Sequence, residues 1–207
     1  FIICETKFLI IIYSLIFKTK KMKNLIIVSI IALSFSSVVF QSCKKDDKPV
    51  VTTPTLYDSL GGSVMVADPA NSGQTIEKGR LLIRSIVDSA IFVIAGDTAL
   101  NGHFVTLLDE VHNGDLSGFQ RLSKNLTDFV AVGTGAKDYQ YTGLDMVTTH
   151  DPAKNPRMTG KPENGDMDAF EKDLFTGAAH AGVPATTPAL ISVGKIVESL
   201  RSKVVQE

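Results

Sequence analysis

SGFQRLSKNLTDFVAVGTGAKDYQYTGLDMVTTH, residues 117–150, joins a long helical pattern to a glycine corner and ends on a histidine. Phe119, Leu122, Leu126 and Phe129 recur at one-turn spacing. Their side chains therefore share one face of a helix, and that face needs a partner to bury it. Asp115 or Ser117 is placed to cap its start. The pattern stops at Gly133 and Gly135, and no period is visible from there to Gly165. Gly143, Pro152, Pro156, Gly160 and Pro162 fall in this stretch. Such density predicts a long ordered loop with brief helical turns, and a loop of that length inside a compact domain is usually either functional or disordered.

Outward from this stretch the signals stay helical. Upstream, Leu82, Ile86, Ala90 and Val93 repeat at helical spacing. Downstream, Phe170, Leu174 and Ala178 do so, followed by Leu190, Val193, Val197, Leu200 and Val204. Thr187 and Pro188 make a good helix start, because Thr can cap and Pro has no donor to leave unpaired. Strand alternation is weak and no internal repeat is visible. The expectation is one all-α domain over residues 56–207, with about 5–6 helices.

The first 55 residues read differently. Of the 207 residues 44% are hydrophobic, but they are unevenly placed, and residues 8–17 and 25–40 are almost wholly apolar. Met22 is a plausible start. Lys23 follows, then the apolar run, then Gln41-Ser42-Cys43. A charged head, a short apolar core and small residues before a cut make a secretory signal. Phe40-Gln41-Ser42-Cys43 resembles the bacterial lipoprotein cleavage box, in which the cysteine is lipidated. The competing reading is an uncleaved anchor, but a run of about 16 residues is short of the ~20 that cross the hydrocarbon core. Residues 1–21 read either as upstream sequence wrongly joined or as a first hydrophobic segment. Residues 1–42 are thus expected to be an upstream segment and signal peptide, and 43–55 a lipid anchor and linker. The domain would be held at the cell envelope through a lipid on Cys43, periplasmic or surface-exposed.

The formal net charge is −1; residues 1–42 hold five basic residues and one acidic one, which leaves 16 basic and 21 acidic in the remainder. An acidic domain without basic runs is a poor match for nucleic acid, whose phosphates need Lys and Arg. Cys4 and Cys43 are the two cysteines. The domain therefore has no disulfide, thiolate metal site or cysteine nucleophile.

Four histidines remain: His103, His112, His150 and His180. They form no HExxH pair, and no G-x-S-x-G elbow occurs. Gly61-Gly62-Ser63 is too short for a phosphate loop. Asp109, Glu110 and His112 read as a solvated helix end rather than a metal site. His150 closes the turn Tyr141–His150 and is followed by Pro152. From its residue type and place alone it is either a solvated side chain or a ligand.

Three segments add a resemblance. Thr55-Leu56-Tyr57-Asp58-Ser59-Leu60-Gly61-Gly62 resembles the opening motif of the group 1 truncated haemoglobins. Thr127-Asp128-Phe129-Val130 through Gly133-Thr134-Gly135-Ala136 resembles the end of their distal helix and its glycine corner. Tyr141-Thr142-Gly143 through Met146 and His150 resembles their approach to the proximal histidine. Order and spacing agree across residues 56–207. The resemblance implies a shortened globin, two helices packed over two, with a reduced proximal helix, and it implies haem. His150 would be the iron ligand. Phe104, Leu122, Asn125, Leu126, Phe129, Tyr141, Met146 and Phe170 would line the pocket, although aromatic residues fill ordinary cores as well.

The sequence also departs from the family. Where many members place a tyrosine on the second helix, this chain has Ile91 or Phe92. On the distal helix the family's ligand-facing positions fall at Leu122, Asn125 and Leu126, of which only Asn125 can donate a hydrogen bond, and a pocket so apolar stabilises partial negative charge on bound dioxygen less well. The loop after His150 is longer than usual. Its Lys154 and Arg157 could pair with a haem propionate, but solvation is the favoured reading. Three functions follow. The first is a haem protein that reversibly binds a diatomic gas, oxygen or nitric oxide. The second is a haem enzyme acting on nitric oxide or peroxide, which would draw electrons from a partner reductase. The third is a non-haem envelope binding module on the same shape.

Overall fold

The computed structural model describes residues 53–206. The expected signal segment and the lipidation site Cys43 lie outside the described residues. Thr55 starts the first helix, α1 (Leu56–Ser59), through a reciprocal cap. Asp58 N donates to Thr55 Oγ1 at 3.1 Å, and Thr55 N donates to Asp58 Oδ2 at 2.6 Å. Each bond satisfies a donor that a helix start otherwise leaves unpaired. A short antiparallel hairpin follows, β1 (Met65–Ala67) with β2 (Thr75–Glu77), in the register Met65↔Glu77, Val66↔Ile76 and Ala67↔Thr75. Sequence reading misses it because three-residue strands are too short to show alternation. Asp68 shapes its turn, accepting from Ala70 N at 3.0 Å and pairing with Arg84 at 2.6 Å.

The helices are α2 (Lys78–Gly96), a 3-10 turn (Asn101–Phe104), α3 (Val105–His112), α4 (Ser117–Thr134), α5 (Met146–His150), α6 (Asn164–His180), α7 (Pro188–Glu198) and α8 (Arg201–Val204). The all-α expectation holds, with the small hairpin added. Cross-helix contacts give the directions. Arg80 pairs with Asp128 at 2.6 Å, Ser123 donates to Asp88, and the rings of Phe92 and Phe119 lie 5.5 Å apart. Ascending α2 thus meets descending α4. In the second pair, Gly194 of α7 faces the ring of Phe175 on α6, and Arg201, just beyond α7, pairs with Asp168 earlier on α6 at 2.8 Å. That pair too is antiparallel. Helix α2 packs on α6 and α4 on α7, so the described domain is two helices over two.

The core lies between these layers. Ile83, Ile86, Val87, Ala90, Leu174, Leu190, Val193 and Val197 are buried in one cluster with Tyr57 and Leu60. Burying a side chain the size of Ile83 or Leu190 stabilises the fold by roughly 1.5–3 kcal/mol each. The crossing of α2 and α6 is closest at Gly177, where an added Cβ would stand 2.4 Å from Ala90 N.

Helix ends differ in detail from the sequence reading. Asp115 Oδ1 accepts from Ser117 N at 2.9 Å, so Asp115 serves the start of α4. Thr187 makes no side-chain cap, and Pro188 alone marks the start of α7. The apolar stripe from Leu190 to Val204 breaks after Glu198 into α7 and α8, and Leu200 at the break is half-buried.

Candidate functional site

The site is built around α5, which has five residues. A helix this short cannot hold itself, because nucleation is costly and the last four carbonyls have no partner in the helix. Here side chains supply the partners. Asp145 caps the start, accepting from Thr148 N at 3.0 Å. At the other end His150 Nδ1 bonds Met146 O at 2.8 Å, Gln206 Nε2 donates to Val147 O at 2.6 Å, and Asn155 Nδ2 donates to Thr149 O at 2.7 Å.

The His150 bond fixes its chemistry. A carbonyl can only accept, so Nδ1 carries the hydrogen. In the neutral ring Nε2 then holds a free lone pair. Nε2 makes no hydrogen bond to any described residue. Burial pushes the His150 pKa below its ordinary value, and the nearby His103 lowers it further. A neutral imidazole oriented through Nδ1, with Nε2 unengaged, has the form of a metal-ligating histidine whose outer bond goes to a backbone carbonyl.

The expected lining residues share one property. Phe104, Leu122, Asn125, Leu126, Phe129, Tyr141, Met146 and Phe170 are all half-buried, as is His150. Leu122, Leu126 and Phe170 pack on the margin of the core cluster. Phe129 and Tyr141 meet edge-on with ring centroids 5.4 Å apart, and the Tyr141 hydroxyl donates to Leu144 O at 2.6 Å. Asn125 makes no side-chain hydrogen bond to the described residues. On α2, Ile91 is buried in the core and Phe92 is 70% exposed, beside Phe119. The residue facing inward at that register is therefore Ile91, which has no polar atom to offer a ligand.

Two expectations are corrected. Arg157 is not a solvated cation. Both of its terminal nitrogens bond Glu110, at 2.6 and 2.5 Å. Lys154 stays exposed, as expected of a solvated cation, beside Asp151 at 3.1 Å. Glu110, read from sequence as part of a solvated helix end, is thereby tied into the loop. Among the described residues no group of three or more His, Cys, Asp or Glu is placed to hold a metal ion. Sequence reading also missed His103, whose Nδ1 bonds Thr159 O at 2.7 Å and whose Nε2 lies 3.0 Å from Asp166. Asn155 and Gln206 were missed as well. None of the three carries a local motif, since their partners are defined only by the fold.

No family model matches the chain, and no curated protein does. Among solved structures the chain is similar to the truncated hemoglobin from Tetrahymena pyriformis, a tyrosine-to-phenylalanine mutant in its Fe(III) form. The TM-score is 0.49 at 18% identity, over 74% of this chain and 100% of that one.

Proposed function

We propose that this domain binds haem through His150 and serves as a reversible binder of a diatomic gas, oxygen or nitric oxide. The observation that carries the reading is His150 itself: neutral by burial, oriented by its Nδ1 bond to Met146 O at 2.8 Å, with Nε2 unengaged. The donor chemistry fits haem iron, which takes a neutral imidazole as its proximal ligand. Apolar side chains would supply its walls. Phe104, Leu122, Leu126, Phe129, Tyr141, Met146 and Phe170 would flank a flat apolar macrocycle.

Bound haem would supply the iron at which a gas associates and dissociates. The chain's own residues would set how it does so. Asn125 offers the one donor of the distal set, while Leu122, Leu126 and Ile91 are apolar, so bound ligands with little charge are favoured over those needing strong hydrogen bonds. The domain would work at the cell envelope, tethered through a lipid on Cys43.

The test is an absorption spectrum of the full chain produced with haem supplied, beside His150→Ala. A Soret band that weakens or shifts in the variant is the expected result. An unchanged band and unchanged haem content in His150→Ala would exclude His150 as the ligand. A colourless parent would exclude the haem reading altogether.

A further inference from the structure

The loop after His150 is ordered by its own polar side chains and fastened to a distant part of the chain. Asn155 is its centre. Its Nδ2 donates to Thr149 O at 2.7 Å, one residue before His150, and its Oδ1 accepts from Arg157 N at 3.2 Å. Arg157 in turn grips Glu110 of α3 through two parallel bonds. The ion pair lies directly over Gly118 at the start of α4. A Cβ there would stand 1.9 Å from Glu110 Oε2 and 2.6 Å from Arg157 Nη2. The α4 backbone is thus bare where the pair rests on it, which distinguishes this pair from an exposed one of little worth. Further along, Thr159 exchanges two bonds with His103, N to the backbone carbonyl at 3.2 Å and O to the ring at 2.7 Å.

We propose that Asn155, held by the Arg157–Glu110 pair, is a positioning residue for His150. The relay Glu110–Arg157–Asn155–Thr149 fixes the last turn of α5 and so determines how firmly His150 keeps the group it ligates. The retention half of this proposal rests on the haem reading; the mechanical half does not. Three single variants cut the relay at different points. Asn155→Ala removes the bond to Thr149 O, and Glu110→Gln breaks the ion pair. Gly118→Ala puts a Cβ where both side-chain ends now rest, so the pair must shift off the α4 backbone, although helix propensity alone favours Ala there.

Amide hydrogen exchange on the haem-free full chain is the first readout, and haem loss to excess apomyoglobin is the second. Each single variant should speed exchange of the 146–158 amides by about tenfold, the scale of one lost hydrogen bond. Exchange in α2 and α6 should match the parent. The double variant Glu110→Gln/Asn155→Ala should be no faster than Asn155→Ala alone, because both cut one path. Haem loss should accelerate in the same variants. Unchanged exchange in the singles, an additive double, or protection lost across the whole domain would each overturn the relay. Faster exchange with haem loss at the parent rate would overturn the retention role. A parent without a Soret band would remove the haem reading and the retention role together, while exchange in the haem-free chain would still decide the relay.

Discussion

Asp173 is 2% exposed on α6, and its Oδ2 has no hydrogen-bond partner among the described residues. Burial pushes its pKa up from the ordinary 3.8, and the neighbouring Asp97 carboxyl pushes it further. Two carboxyls facing each other in a poorly solvated place cannot both ionise cheaply, so Asp173 holds its proton to higher pH than a free carboxyl does. An acid whose folded pKa is raised contributes stability that is full below its unfolded value and lost as pH rises through the folded value. The substitution Asp173→Asn tests this, since an amide has nearly the shape of the protonated acid and stays neutral at every pH. It should raise Tm in mildly alkaline buffer by about 2–4 °C, the shift that ~1 kcal/mol gives in a domain this size. It should do little in acid, where the parent carboxyl is already neutral. An equal gain at both pH values would mean that Asp173 is not the titrating group.

At the scale of elements, two glycines of α6 make opposite predictions from one substitution. A Cβ at Gly177 would meet the backbone of α2, 2.4 Å from Ala90 N and 2.5 Å from its Cα, whereas nothing lies within 4 Å of a Cβ at Gly165. Backbone cannot yield as a side chain can, so Gly177→Ala must separate α2 from α6. It should cost about 1–3 kcal/mol despite the gain in helix propensity. Gly165→Ala should be neutral or stabilising by up to ~1 kcal/mol. Urea unfolding of both variants checks the pair, and equal effects would show that the crossing is not the tight contact described. The helices that meet there were legible in the sequence, because Leu82, Ile86 and Ala90, like Leu174 and Ala178, repeat at the period of the structure they form. The hairpin was not, since strands of three residues carry no period. In the candidate site, the short helical turn that ends on His150 was legible from its flanking glycines and prolines, whereas the half-burial of the residues picked from sequence is common to many side chains at the margin of a core. The fastening of the next loop was hidden. Arg157 finds Glu110 47 residues away, and His103 finds Thr159 56 residues away, separations at which only the folded chain defines a partner.

Across the whole molecule, titrating groups pull stability in opposite directions with pH. Asp58, Glu110, Asp145 and Asp151 have pKa values lowered by the bonds they accept, foremost from Thr55, Arg157, Thr148 and Ala153. Their contributions are present at neutral pH and lost in acid. Asp173 and Glu171 are raised by burial and by their carboxyl neighbours, so their contributions fade as pH climbs. His150 opposes this pair. Its pKa lies below the ordinary 6.5, so the folded haem-free chain resists the charged ring. Below its folded pKa the full cost of burying the cation is present; as pH rises from there toward 6.5 the cost is relieved. His150→Gln keeps a polar side chain and removes the titration. The parent's stability relative to this variant should therefore grow with pH and level off near 6.5, read as the difference in urea midpoint between the two haem-free chains. A difference that stays flat with pH would mean a solvated imidazole, equally at ease charged or neutral. That result would take away the buried neutral ligand on which the proposed haem binding at His150 rests, even if some haem bound elsewhere in the domain.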